Sequence, residues 1–259
     1  MLLKDKVVFV TGAGQGMGRG IAQAVAEEGA AVAISDLALE PVQETAARIE
    51  EQCGSRTLPL VADVTDRERM AQAISTTVER LGPLYGFVNN AGVVQMAPAL
   101  QSSDEEWRFH FDVNVRGLFL CCQLAAEQMI GQGRGGAIVN IASNAGKVGY
   151  PNMAAYNASK AAVINLTRNL SAEWAQYNIN VNAVCPGGVD TPMLFEAAKW
   201  VADRIGADPQ ALHGTMKPHQ MARHIRPIEV GRIVAFLLSE RAQIIRGQSI
   251  NVDGGDTPY

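Results

Sequence analysis

The stretch Thr11-Gly12-Ala13-Gly14-Gln15-Gly16-Met17-Gly18 decides the fold. It follows a short apolar run over 6–10 and precedes a segment whose apolar residues recur at a helical period until Gly29. The glycines are spaced as TGxxxGxG, so the backbone can approach an anionic group closely, and the following helix offers unpaired N–H groups and its positive dipole end. The commoner GxGxxG pattern is not met, because its third glycine would fall on Met17 or Arg19. The stretch therefore predicts a phosphate-binding turn inside a βαβ unit.

Outward from this turn, short apolar runs alternate with longer amphipathic segments. The runs are continuously apolar, which is typical of strands buried on both faces of a parallel sheet. We predict strands over 6–10, 31–35, 57–62, 84–88, 137–142, 180–184 and 249–252, and helices over 41–52, 67–80, 107–130 and 154–176. The alternation predicts an α/β fold of the doubly wound Rossmann type, with a parallel sheet of about seven strands between two helical layers.

The chain length allows one large domain or two small ones, at roughly 100–200 residues per domain. No linker, low-complexity segment or internal repeat divides the 259 residues. The region after the sixth predicted strand is irregular, because Pro192, Pro209, Pro218 and Pro227 break any continuous helix there. We predict a single domain over 1–259, with residues 190–226 forming a lid over the ligand site.

Composition excludes several classes of function. The 22 lysines and arginines against 26 aspartates and glutamates give a net charge of −4, which argues against a nucleic-acid or anionic-membrane surface. No apolar run approaches the roughly 20 residues that span a bilayer. Charges within the first six residues exclude a signal peptide, so we expect a cytoplasmic protein. The four cysteines have no metal-ligand spacing, and the lid histidines His213, His219 and His224 show no such regularity either, so no metal is predicted.

Asp36 follows the second predicted strand, 18 residues beyond Gly18. A carboxylate at this place can accept both ribose hydroxyls of an adenosine and would repel a 2′-phosphate. Residue 15 is Gln rather than a basic residue, and no lysine or arginine occurs between Ile21 and Ala47. The sequence therefore favours NAD over NADP.

Tyr156 and Lys160 lie four residues apart at the start of the predicted helix over 154–176, which places them on one face. A free phenol has a pKa near 10 and is a poor base at neutral pH, but a neighbouring ammonium favours the phenolate and lowers that pKa. Ser143 follows the preceding strand, so its hydroxyl can converge on the same site. The three residues predict a proton-transfer site.

With these motifs in this order, the chain resembles the short-chain dehydrogenases/reductases over nearly its whole length. The resemblance also rests on Asp63-Val64 after the third strand, Asn89-Asn90-Ala91-Gly92 after the fourth, Asn114, Pro186-Gly187, and Val252-Asp253-Gly254-Gly255. Met17 is a mild departure, since the family usually has isoleucine there.

The resemblance implies a role for each catalytic candidate. Tyr156 would donate or accept the substrate proton, and Lys160 would depress the Tyr156 pKa and hold the nicotinamide ribose. Ser143 would hydrogen-bond the substrate oxygen, and Asn114 would hold a water in a proton relay or, alternatively, brace a helix kink.

The resemblance also implies a nicotinamide cofactor site and a homotetramer. The tetramer would pair through the helices over 107–130 and 154–176 and the last strand, and the tail over 253–259 could reach a neighbour. A purely structural role, instead of cofactor binding, stays open for three of these features: Asn89, Gly92 and the turn Pro186-Gly187. The predicted cofactor-binding residues are Gly12, Gln15, Gly16, Met17, Gly18, Asp36, Leu37, Asp63, Val64, Asn90, Ala91, Gly92, Tyr156, Lys160, Pro186, Gly187, Val189 and Thr191.

The predicted substrate residues are Gln95, Ser143, Asn144, Tyr150 and Tyr156. The polar side chains suit a small hydroxylated substrate such as a polyol or a sugar. The lid residues Met193, Leu194, Phe195, Trp200 and His213 are further candidates for substrate contact.

Three functions stay open at this point. The first is an NAD-dependent oxidoreductase of a secondary alcohol or its ketone. The second is an NADP-dependent 3-oxoacyl acyl-carrier-protein reductase, against which Asp36 and Gln15 argue. The third is a non-catalytic dinucleotide sensor, which the complete set Asn114, Ser143, Tyr156 and Lys160 disfavours.

Overall fold

A computed structural model describes all 259 residues of the chain. Its centre is one parallel sheet of seven strands in the order β3-β2-β1-β4-β5-β6-β7, which confirms the predicted doubly wound fold. The strands are all parallel, but successive strands are added on one side of β1 up to β3 and on its other side from β4 onward. At this switch point between β1 and β4, a doubly wound sheet opens a crevice at the carboxyl ends of its strands. The strands are β1 (Val7–Thr11), β2 (Ala31–Asp36), β3 (Thr57–Val61), β4 (Leu84–Asn89), β5 (Gly136–Ile141), β6 (Ile179–Pro186) and β7 (Ser249–Val252).

Helices cover both faces of the sheet and bury a separate apolar core on each. One core contains residues of α1 (Gly16–Glu27), α2 (Leu39–Cys53) and α9 (Pro227–Leu238). The other contains residues of α3 (Arg67–Leu81), α5 (Leu118–Gln132) and α6 (Ala154–Trp174). All residues of β1 and β6 are buried. Residues 7–10 of β1 form a continuous apolar run, whereas β6 also buries Asn180 and Asn182, whose amides donate to the carbonyls of Ala242 and Ile245. No helix of the fold is both long and apolar enough to cross a membrane.

The predicted helix over 107–130 is longer and interrupted. It begins as α4 (Asp104–Phe111), which Ser103 caps by accepting a hydrogen bond from the Glu106 N–H. It then passes through a π-helical turn over Asp112–Gly117 and continues as α5. A π turn holds one more residue than an α turn, and such turns occur often at functional sites.

The predicted lid is largely helical, with α7 over Pro192–Ile205 and α8 over Pro209–Thr215. Pro192, Pro209 and Pro227 stand in the first turn of α7, α8 and α9, where a missing N–H costs nothing and the fixed φ suits a helix. These prolines therefore begin three helices. Helix α9 is not among the predicted helices. It packs closely on α1, where a Cβ on Gly20 would lie 2.5 Å from Pro227 Cβ.

The C-terminal tail folds back on its own chain. The Tyr259 hydroxyl donates to the Lys147 carbonyl at 3.1 Å, and Lys147 Nζ donates to the carbonyls of Ser249 and Tyr259. These hydrogen bonds connect the tail to the segment that follows β5.

Candidate active site

A cavity of about 1080 Å³ opens at the carboxyl edge of the sheet, across the switch point between β1 and β4. This is large for a ligand pocket and suits a dinucleotide together with a small substrate. The predicted site residues that line it are Gly12, Gln15, Gly16, Met17, Gly18, Asp36, Leu37, Asp63, Val64, Asn90, Ala91, Gly92, Ser143, Asn144, Tyr150, Tyr156, Pro186, Gly187, Val189 and Thr191.

The glycine-rich turn presents an open helix end to this cavity. The Gln15 side chain makes no capping hydrogen bond, and no acidic residue lies in the first turn of α1. The first three N–H groups of the helix have no intrahelical partner, so they and the helix dipole favour a bound anion. Gly18 must lack a side chain, because a Cβ there would lie 2.1 Å from the Gly12 carbonyl oxygen. The turn therefore fits a pyrophosphate.

Asp36 connects this turn to the end of β2. Its Oδ2 accepts a hydrogen bond from the Gly14 N–H at 2.9 Å, and its Oδ1 accepts one from the Leu37 N–H at 2.8 Å. Arg19 is the basic residue closest to the turn in sequence, and its guanidinium is already engaged with the Gly14 carbonyl at 2.7 Å and with Glu44 at 3.0 Å. The carboxylate at the cavity wall therefore fits an uncharged ribose edge.

Asn90 holds the end of β4 against the same turn. Its Nδ2 donates to the carbonyls of Thr11 and Gly12 at 3.0 and 2.8 Å, while its Oδ1 is buried without a partner. A buried amide oxygen without a donor is costly, and a hydroxyl of a bound ribose would satisfy it. The turn, Asp36 and Asn90 together fit a nicotinamide dinucleotide.

Ser143, Tyr156 and Lys160 come together beneath the cavity, as predicted. Ser143 follows β5, while Tyr156 and Lys160 stand on the first turns of α6. Lys160 Nζ donates to the Ile141 carbonyl at 2.9 Å and lies 5.8 Å from the centroid of the Tyr156 ring. Lys160 and Asn114 are buried behind the cavity wall, where a Cβ on Gly92 would meet Asn114 Oδ1 at 3.2 Å and Lys160 Nζ at 3.4 Å.

The pKa of Tyr156 shifts in the direction opposite to the predicted one. Burial raises the pKa of this phenol, and the Ser143 hydroxyl opposes the rise only in part. Burial also lowers the pKa of Lys160, to about 8, because no carboxylate accompanies its ammonium. Desolvation is therefore the largest cause of the shift in both groups.

The lowered pKa of Lys160 predicts a pH-dependent stability. Below pH 8 the amine is charged in folded and unfolded chains alike, whereas between about pH 8 and 10.5 only the unfolded chain keeps its proton. Lys160 should therefore contribute a rise in the free energy of unfolding with pH over this window, of about 3 kcal/mol. The buried thiols of Cys121 and Cys122, whose pKa values burial raises, oppose this rise, so the contribution of Lys160 has to be isolated with a variant. Urea unfolding at a series of pH values, compared with Lys160→Met, measures the contribution. An identical pH dependence in both proteins would contradict it.

Asn114 braces the π turn. Its Oδ1 accepts from the Val93 N–H at 2.8 Å, and its Nδ2 donates to the Val93 carbonyl at 3.0 Å and to Ser159 Oγ at 3.1 Å. The Ser159 hydroxyl in turn donates to the Tyr156 carbonyl at 2.7 Å. Of the two roles considered for Asn114, these contacts support the bracing one, and the role of holding a water stays a prediction.

The substrate end of the cavity departs from the prediction in its polarity. Asn144 Nδ2 donates to the Tyr150 hydroxyl at 2.8 Å, and both side chains line the cavity. Gln95 does not line it, because its side chain is exposed to solvent while its backbone N–H donates to His110 Nε2. Much of the remaining wall is apolar and is formed by Val94, Met96, Phe109, Met153, Met193, Leu194, Ala197, Val201 and Met216.

Several of these apolar residues are not among the predicted substrate contacts. Met96 and Phe109 reach the cavity only because the loop after β4 and the end of α4 meet there, which no local pattern signals. Phe195 and Trp200 were candidates for substrate contact, yet neither lines the cavity. The Arg204 guanidinium carbon lies 3.4 Å from the centroid of the Trp200 ring, so the Trp200 side chain packs against a residue of its own helix, α7.

Two lid histidines form a pair that the sequence spacing did not suggest. The rings of His213 and His224 stack with centroids 4.4 Å apart and planes 22° from parallel, and Asp190 Oδ1 lies 3.9 Å from His213 Nε2. Ligand atoms of the three residues lie within 4.8 Å of one another. Because lone pairs on nearly parallel rings do not converge, this arrangement is a packing contact, in which His213 of α8 meets His224 before α9 and Asp190 before α7. His213 is thereby turned away from the cavity wall.

Comparison with known proteins gives relatives over the whole chain. A family model described as short chain dehydrogenase matches residues 6–202. The chain is 37% identical over 255 residues to a cyclopentanol dehydrogenase of Comamonas testosteroni, covering 98% of both proteins. It is 34% identical over 255 residues to a 3-oxoacyl acyl-carrier-protein reductase of Thermotoga maritima, covering 98% of this chain and 99% of the relative.

Solved structures with the same fold include three informative ones. Levodione reductase has a TM-score of 0.93 at 32% identity, over 99% of this chain and 100% of that one. NAD⁺-bound xylitol dehydrogenase has a TM-score of 0.91 at 33% identity, over 98% and 100%. Actinorhodin polyketide ketoreductase with NADPH has a TM-score of 0.92 at 32% identity, over 98% of each chain.

Proposed function

This chain belongs to the short-chain dehydrogenase family, and from that membership we propose that it transfers a hydride between NAD and a small secondary alcohol or its ketone. That it is a nicotinamide-dependent oxidoreductase of alcohols or ketones follows from its relatives. The observation that carries the proposal is the meeting of Ser143 and Tyr156 in the wall of a cavity that also holds the glycine-rich turn.

In the proposed mechanism, the Ser143 and Tyr156 hydroxyls hold the substrate oxygen. In ketone reduction the Tyr156 phenol donates its proton to that oxygen, and Ser143 stabilises the negative charge that develops there. Alcohol oxidation runs the same transfer in reverse, with the phenolate as the base. The bound nicotinamide supplies or accepts the hydride. The raised pKa of Tyr156 suits the acid role at neutral pH and favours alcohol oxidation under alkaline conditions.

The choice of NAD rests on Asp36. Its carboxylate lies at the cavity wall beside the turn, where a 2′-phosphate would meet a negative charge. Arg19, which could otherwise neutralise such a phosphate, is committed to Glu44 and the Gly14 carbonyl. Relatives with NAD⁺ and with NADPH are both known, so the choice is a property of these residues rather than of the fold.

Two classes of substrate fit the cavity. Asn144 and Tyr150 can bind hydroxyl groups, which supports a polyol or sugar, and a xylitol dehydrogenase is among the structural relatives. The apolar wall supports a cyclic or branched secondary alcohol with little polar surface, and cyclopentanol dehydrogenase and levodione reductase are relatives as well. The second class gains support from the position of Gln95, which leaves the site with one polar group fewer than predicted.

A panel of alcohols tests the proposed function. The purified enzyme is given NAD or NADP with cyclopentanol, cyclohexanol, glycerol, xylitol and sorbitol, and the absorbance of NADH or NADPH is followed. The reverse assay offers NADH or NADPH with cyclopentanone and with a 3-oxoacyl thioester. We expect turnover with NAD and the cyclic alcohols. Reduction confined to the thioester with NADPH would favour the acyl-carrier-protein reductase, and NAD binding without any turnover would favour the sensor.

We also propose a homotetramer in a reducing compartment of the cell, the cytoplasm. Trp107 on α4 and Ile130 on α5 expose large apolar side chains, which a second subunit could bury. All four cysteines are free, which suits a reducing compartment. Light scattering should give four times the chain mass of 27.7 kDa, and a monomer mass would contradict the assembly.

A further inference from the structure

His110 occupies a buried position at the end of α4, directly before the π turn. Its side chain is completely buried, and both ring nitrogens have partners. Nδ1 lies 2.8 Å from the Glu106 carbonyl oxygen, and Nε2 lies 2.9 Å from the Gln95 backbone nitrogen. A carbonyl can only accept and a backbone N–H can only donate, so Nδ1 carries the proton and Nε2 is the acceptor. These contacts select one neutral tautomer.

The second partner of His110, Gln95, belongs to the short segment 93–95, which we call the strap. Asn114 stands four residues after His110 and binds the same segment through the N–H and carbonyl of Val93. The two side chains therefore hold the strap at alternate residues, 93 and 95. Val93 and Val94 line the cavity, so the position of the strap sets one wall of the site.

The imidazole of His110 also contacts Tyr156. The ring centroids lie 6.2 Å apart with planes at 70°, an edge-to-face contact between two side chains in the interior. Lys160 Nζ approaches the same phenol ring to 5.8 Å from its centroid. Tyr156 is thus oriented by two neighbours, and His110 is the one that also holds the strap.

We propose that His110 is a positioning residue, which fixes the phenol of Tyr156 and the strap relative to each other so that proton transfer occurs in the correct geometry. The proposal rests on the proposed function, because it assigns Tyr156 the proton. A displacement of about 1 Å in a reacting group can lower a rate by about 100-fold, so an indirect role of this kind has a measurable effect.

The side chains of glutamine and asparagine separate the two contacts of His110. A glutamine amide reaches the place of Nε2 and can accept from the Gln95 N–H, whereas an asparagine amide reaches the place of Nδ1 and cannot. Leucine fills the volume and makes neither hydrogen bond. The matched set is therefore His110→Gln, His110→Asn and His110→Leu.

Steady-state kinetics of the three variants test the proposal. We expect kcat to fall roughly 10- to 100-fold in His110→Asn and His110→Leu, which lose the hydrogen bond to the strap. The fall should be smaller in His110→Gln, which keeps that hydrogen bond and loses only the ring contact with Tyr156. Kd for NAD should stay within about twofold, because the glycine-rich turn, Asp36 and Asn90 are untouched, and the larger part of the loss should fall on kcat rather than on KM for the alcohol. The isotope effect with the deuterated alcohol should increase in the slow variants, since chemistry becomes rate-limiting. Unchanged kcat in all three variants would overturn the proposal, and so would a loss of kcat that follows only the loss of Tm.

Hydrogen exchange gives a readout that needs no activity. The Gln95 amide should exchange slowly in the wild-type protein and in His110→Gln, and fast in His110→Leu. Equal protection in all of them would show that His110 does not hold the strap. If the wild-type enzyme turned over none of the alcohols or ketones, the proposed function would fail, while this exchange measurement would still decide the structural part of the inference.

Discussion

The substitution Tyr156→Phe should reduce kcat by a factor of about 100 to 10,000, the range typical of the loss of a general acid or base. The substitution removes one oxygen and keeps the ring, so the contacts with His110 and Lys160 survive. No other titratable side chain is assigned to the substrate oxygen, because Ser143 offers only a hydroxyl and the Lys160 ammonium donates to the Ile141 carbonyl. The loss therefore falls on the proton-transfer step in both directions of the reaction.

Binding of the dinucleotide provides the control for Tyr156→Phe. Asp36, Asn90 and the glycine-rich turn are unchanged, so Kd for NAD by calorimetry should stay within a few-fold of the wild-type value. Tm should change little, because the phenyl ring of the variant fills the same space as the ring of Tyr156. If more than about a tenth of the activity remained, a proton would have to leave by another route, and the mechanism would be wrong.

Substitution of Asp36 should have the largest effect on the choice of cofactor. In Asp36→Ala the ribose loses a charged acceptor, and hydrogen bonds to charged groups contribute about 1.5–3 kcal/mol, which corresponds to roughly 10- to 150-fold in Kd for NAD. NADP should lose far less, because the variant also removes the charge that repels its phosphate. The ratio of the two Kd values therefore moves toward NADP.

Asp36 also supports the turn, and this second role needs its own control. The carboxylate accepts from the N–H groups of Gly14 and Leu37, so alanine leaves both donors without these partners. Asp36→Asn keeps the shape and one acceptor while it removes the charge. Calorimetric Kd values for both dinucleotides with both variants separate the two effects, since damage to the turn weakens NAD and NADP alike. Equal losses for the two dinucleotides in Asp36→Asn would refute the cofactor assignment.

Much of the fold could be predicted because its signals are local. A strand buried on both faces is typically a continuous apolar run, as over residues 7–10 of β1, and the glycine spacing of the first turn admits few other structures. The residues around the cofactor site follow strand ends, and the carboxyl ends of parallel strands meet at one edge. Their approach in space was therefore contained in the order of the motifs.

The remaining features depend on contacts between distant segments. Met96 and Phe109 line the cavity because a loop and a helix end meet there, and Gln95 faces away because His110 holds its backbone. The direction of the shift in the Tyr156 pKa depends on how far the folded chain buries the phenol. The spacing of Tyr156 and Lys160 in the sequence does not reveal that burial. The lid helices do not follow from an interpretation of the prolines as helix breakers, because Pro192 and Pro209 stand where helices begin.

The π turn over Asp112–Gly117 has a consequence for insertions and deletions in this helix. Each residue of an α-helix advances the side-chain direction by about 100°, so the extra residue sets the phase between α4 and α5. Deleting one residue here would restore a regular α-helix and rotate one end against the other by that angle. The rotation would take His110 and Asn114 out of line with the strap while α5 stayed in the core. Related sequences of different length in this helix should therefore differ in the geometry of their active sites even where every catalytic residue is kept.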